Sequence, residues 1–124
     1  MTAENQHLHD PSLTGLFYAI SFQIFGIAIA FMANSVNYAI LLFSETNGHE
    51  IALSVPIIAT ALFTIVWGDA CLGSQRAHIK DASAKTKDTN AYKHISSQRY
   101  NALRVLNFAL AVVLAASQFD LLFG

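Results

Sequence analysis

Asp69 is the one acid or base inside the apolar stretch 51–72, so any chemistry in this chain would start there. Ionisable groups at membrane depth are costly, and they pair or mark an ion path. If the second and third apolar stretches run antiparallel, Asn107 lies within about a turn of Asp69 and Arg104 within about two. The expected intramembrane pairing set is therefore Asp69, Asn107 and Arg104. Its structural use is a bond from Asp69 to Asn107 that fixes the hairpin; its chemical use is proton or ion passage.

A second constellation is a stripe. Gln23, Gly26, Ala30, Asn34 and Asn37 follow spacings of three, four, four and three, which puts them on one helix face. Ile24, Ile27 and Phe31 occupy another face, suited to lipid. A carboxamide turned to hydrocarbon without a partner costs about a kilocalorie or more, so the stripe should face protein. The expectation is packing glue or an interface with another chain, with a pore or binding-site lining as the alternative. Asn107, Ala111, Ala115 and Gln118 form a comparable face, and Pro56, Thr60, Thr64 and Gly68 a small, weakly polar seam.

The histidines point nowhere in particular. None of the five falls within an apolar stretch, where an axial ligand for haem b or chlorophyll would be needed, so no cofactor is expected. His7-x-His9-Asp10 on the polar tail is a weak metal pattern, and His49 belongs to the opposite end of the bundle. His78 and His94 would be offset by roughly 10 Å in a hairpin turning at Thr89-Asn90, too far to share a metal. No glycine-rich phosphate loop, metalloprotease helix or nucleophile elbow is present. The expectation is a chain with no catalytic residue, cofactor or metal.

The elements that position these residues follow from composition. The chain has 124 residues, 54% hydrophobic and only 12% charged, with a mean hydropathy of +0.43. Soluble domains carry about a quarter charged residues, so this is a membrane pattern. All seven Lys and Arg fall in 76–104, and net charge is −1. A basic segment between apolar runs reads as a cytoplasmic loop rather than a nucleic-acid face. Cys71 is the single cysteine, which rules out a disulfide within one chain.

The fold class expected is an all-α integral membrane protein with three transmembrane helices in a single domain, 1–124. A polar tail, 1–12, lacks the positive residues of a secretory signal, so the first apolar run is kept as a span. Spans are expected at about 14–43, 51–72 and 103–123, with a short turn at 44–50 around Asn47-Gly48. Pro56 should sit in the first turn of the second helix, capped by Ser54. The basic segment 73–102 is rich in helix formers and free of proline. It is expected to extend the second and third helices into a long hairpin turning at Thr89-Asn90, with a disordered loop as the alternative.

These features imply a lipid bilayer as surroundings, other membrane subunits or further copies of itself as partners, and no nucleic acid. The expected role is a non-catalytic subunit or assembly factor of a larger membrane complex. The alternatives are a homo-oligomeric channel or small transporter, and an immunity or holin-type protein. The expected setting is a cell inner membrane, with the N-terminus and basic loop in the cytoplasm and the C-terminus across it. Reporter fusions at Met1, Asn90 and Gly124 check this: cytoplasmic signals are expected from the first two and not from the third.

Overall fold

Long runs of apolar residues produce three long helices in the computed structural model, which describes residues 11–124. They are α1 (Pro11–Phe43), α2 (Glu50–Lys80) and α5 (Tyr100–Phe123); two short helices, α3 (Ala84–Lys87) and α4 (Asn90–Ser96), lie between the last two. The described residues contain no strand. Each long helix is long and apolar enough to cross a membrane. The tail histidines His7 and His9 fall outside the described residues.

Helix α2 is central and packs against both α1 and α5, which run antiparallel to it. The α1–α2 approach is set by two rings lying over two glycines. The Trp67 indole covers Gly26 and the His78 imidazole covers Gly15, each so closely that a Cβ on the glycine would overlap the ring. Trp67 also donates its indole N–H to the Phe22 carbonyl at 2.8 Å. The glycines are eleven residues apart on one helix, and so are the rings on the other. Between α2 and α5 the device recurs in another form: Gly68 makes room for the Asn107 carboxamide.

The turn between α1 and α2 matches its sequence. Gly48 takes φ +84°, a left-handed conformation that glycine adopts without cost. Its N–H donates to Glu50 Oε1 at 3.1 Å, and His49 N–H to the Thr46 carbonyl at 3.0 Å. Helix α2 begins at Glu50, earlier than expected, so Pro56 sits inside the helix and Ser54 does not cap it. The Ser54 hydroxyl instead donates to the Ile51 carbonyl at 2.6 Å.

The basic segment departs further from expectation. Helix α2 continues past the apolar stretch but stops at Lys80, not near Asp88, and no long hairpin forms. The chain breaks at 81–83 because side-chain caps compete with continued helix. Ser83 Oγ accepts the Thr86 N–H at 3.2 Å to start α3, and Thr89 Oγ1 accepts the Tyr92 N–H at 3.2 Å to start α4. Thr89-Asn90 is thus a helix start rather than a hairpin tip. The Tyr92 hydroxyl then reaches the Ile79 carbonyl at the end of α2, at 3.4 Å, and tethers α4 to it.

This folded cap has a core of its own. Leu16 and Ala19 of α1, Leu72 and Gln75 of α2, Thr86 of α3 and Tyr100 of α5 are all buried. A second buried group lies further along the bundle at Ala30, Asn37, Ile57, Ala111 and Gln118. Gly26→Ala should disturb the α1–α2 seam through overpacking, at a cost of about 1–3 kcal/mol. Helicity followed during denaturing-detergent titration should show that loss. The Gly26→Ala/Trp67→Ala double variant should lose less than the sum of the singles, since removing the ring removes the clash.

Candidate functional site

The polar stripe of α1 is taken up inside the chain. Gln118 of α5 is fully buried, and its Nε2 donates to Asn34 Oδ1 at 2.7 Å. Its Oε1 accepts from Asn37 Nδ2 at 3.1 Å. The same Asn37 nitrogen lies 3.4 Å from Thr60 Oγ1 of α2, and Asn34 Nδ2 donates to the Ala30 carbonyl at 2.8 Å. Three helices therefore meet at one carboxamide cluster, with Gln118 joining α5 to α1 through two hydrogen bonds. Gln23 accepts from Gln75 of α2, Gly26 lies under Trp67, and Ala30 is buried. All five stripe residues thus face α2 or α5 rather than outward. A packing role agrees with this placement, and the stripe does not present the outward face that an interface with another chain would use.

The pairing set divides differently from its expected form. Asp69 bonds to Arg104, not to Asn107. Asn107 donates Nδ2 to the Thr64 carbonyl at 3.0 Å and rests on Gly68. The reason is rotational phase. Successive residues on a helix point about 100° apart, so Gly68 faces α5 squarely and Asp69 turns towards its edge. There Arg104, one turn before Asn107, supplies the nearer partner. Both side chains of the ion pair are about half exposed, 44% for Arg104 and 50% for Asp69. Such a pair contributes about 0–1 kcal/mol.

Three residues to which sequence reasoning gave no bonding role hold the basic end together. Gln75, Tyr92 and Tyr100 bond to Gln23, to the Ile79 carbonyl and to the Ile95 carbonyl respectively. The readable signal of the short helices there is Ser83 three residues before Thr86 and Thr89 three before Tyr92, the spacing of a cap oxygen to its N–H. Arg76 donates to Asn101 Oδ1 at 3.1 Å, bracing α2 against the start of α5. Cys71 is buried beside this core. His78 is occupied over Gly15 while His94 is exposed on α4. No three metal-ligating side chains come together among the described residues.

Two concavities stand out. A water-sized one of about 10 Å³ lies beside Asn37, Pro56 and Ile57. The larger is an open groove of about 400 Å³ at the corner between α4 and α5, with Ser97, Gln98 and Arg99 above Ala102, Leu103 and Leu106. Arg99 stands at the N-cap of α5, with no side chain closing the first turn.

No protein-family model matches the chain, and neither a curated protein nor a solved structure does. The site geometry alone ranks the polar residues. Gln118→Ala removes two interhelical bonds, one to half-buried Asn34 and one to buried Asn37, whereas Asp69→Asn weakens a half-exposed pair. Interhelical bonds in membranes average about 0.6 kcal/mol and reach about 1.7 kcal/mol. Unfolding in detergent should show Gln118→Ala losing about 1–3 kcal/mol and Asp69→Asn under about 1 kcal/mol.

Proposed function

We propose that the chain is a non-catalytic integral membrane subunit, an accessory or assembly factor docked in a larger complex of an inner membrane. The three long helices anchor it, residues 76–104 lie in the cytoplasm, and the C-terminus lies across the bilayer. Seven cations in that one segment support this orientation.

The observation that carries the reading is a length mismatch in α1. Its apolar stretch, Leu13–Phe43, has 31 residues. That is about 46 Å of helix against a hydrocarbon core of about 30 Å. Even a tilt of about 40°, the top of the usual range, shortens its reach only to about 35 Å. The Trp67–Gly26 contact and the Asp69–Arg104 pair place the first turns of α1 beyond the level of Arg104. There Phe17 is 52% exposed and Tyr18 is 62% exposed, with Phe22 stacked next to Tyr18 at 6.5 Å. Exposed aromatic surface at and beyond the headgroup level offers a face for a protein cover.

A homo-oligomeric channel lined by Gln23, Asn34 and Asn37 loses its motive, because those side chains are satisfied within the chain. Native mass measured after extraction in mild detergent tests the proposal. The wild-type chain should travel in a complex heavier than itself. Phe17→Glu should release it while leaving it membrane-bound, and Phe31→Leu, at mid-helix, should change nothing. A wild-type chain that travels alone overturns the reading.

A further inference from the structure

We infer that the α4–α5 corner is a binding site for one anionic phospholipid of the leaflet beside the basic segment, its phosphate at Arg99 and an acyl chain along Leu103 and Leu106. The inference rests on the membrane reading above, but not on the docking of α1.

Three observations converge on this corner. First, the groove is divided by polarity along its length: Ser97, Gln98 and Arg99 form one end, and Ala102, Leu103 and Leu106 the other. A phospholipid has the same division, and few soluble ligands do. Second, residues 99, 102, 103 and 106 recur at helical spacing, so the apolar floor of Ala102, Leu103 and Leu106 descends one face of α5 for about a turn, roughly 6 Å, below Arg99. Leu110 and Val113 continue that line, 51% and 62% exposed, so the floor opens into surface suited to an acyl chain. Third, the charge is complementary. Arg99 makes no ion pair or side-chain hydrogen bond among the described residues, whereas Arg76 and Arg104 are committed to Asn101 and Asp69. It sits in a segment holding seven cations against two carboxylates, Asp81 and Asp88.

Arginine suits this position for a further reason. Its planar fork matches phosphate oxygens with two parallel donors, and its stem can lie along apolar surface while the head stays at headgroup level. The backbone N–H groups at the start of α5, left without a side-chain cap, add to the same positive field. An adjacent cluster of basic residues at the cytoplasmic face of a span is the general pattern for anionic-lipid recognition. Here the groove adds a fixed place for the chain as well as the charge.

The test uses the full chain in nanodiscs of phosphatidylcholine mixed with phosphatidylglycerol, with retained lipid counted by native mass spectrometry. The wild type should keep one phosphatidylglycerol in preference to phosphatidylcholine. One cation near the surface is worth about 1 kcal/mol, so Arg99→Gln should lower that retention about fivefold. Ala102→Trp, which fills the groove and leaves every charge in place, should lower it as well. Lys85→Gln, on the exposed face of α3, should leave it unchanged. Equal losses in Arg99→Gln and Lys85→Gln, with none in Ala102→Trp, would mean diffuse attraction and overturn the site. So would a wild type that retains both lipids alike. Alkaline carbonate extraction of native membranes separates the two readings: release of the chain defeats both, whereas a retained chain without lipid preference defeats only this one.

Discussion

The close approach of α1 and α2 rests on rings seated over glycines, and the rest of the molecule is arranged around that contact. Gly26 under Trp67 and Gly15 under His78 hold the two backbones together at points eleven residues apart. Eleven residues make three turns at 3.67 residues per turn, close to the natural period of a straight helix. The two helices can therefore stay in register over their length without the strong supercoiling of a heptad seam. Once that register is set, Thr60 comes opposite Asn37, and Gln118 closes the third side of the same cluster. A carboxamide kept from water needs a partner within the chain, so satisfying the cluster internally is what permits the outer surface to be apolar.

Much of the frame was legible. The three long apolar helices, the Asn47-Gly48 turn and the inward direction of the α1 stripe follow from hydropathy and from helical spacing, and both survive a change of partners. The break at 81–83 was not legible. Ala and Lys favour helix through that region, but propensity is a weak prior, and the caps at Ser83 and Thr89 with the Tyr92 tether outweigh it. The pairing of Asp69 was half legible. Its place near the end of an apolar helical stretch was readable, but its partner depended on rotational phase, which spacing from a guessed turn does not fix. Gly68 was read only as part of a seam, whereas its role is to admit Asn107 and so leave Asp69 to Arg104.

Polarity within the chain sorts cleanly by position. The buried carboxamides serve cohesion, and the half-exposed ion pair marks the edge of the apolar zone. Beyond that edge Lys85, Lys87 and Lys93 stand on short helices, where capping hydroxyls rather than apolar seams define the geometry. The features open to an outside partner, the aromatic end of α1 and the groove beside Arg99, both lie towards that basic end.

The two separate cores have a consequence for how the molecule comes apart. In the proposed setting the cap, with Leu16, Leu72 and Tyr100, is held by the exclusion of water, whereas the Ala30, Asn37 and Gln118 level is held by van der Waals fit and hydrogen bonds within lipid. Urea weakens the first kind of cohesion by solvating apolar and peptide groups. It has no comparable access to the second. The chain is thus built to come apart in two stages, its aqueous end loosening while the anchor stays intact, with Cys71 newly uncovered at the boundary between them.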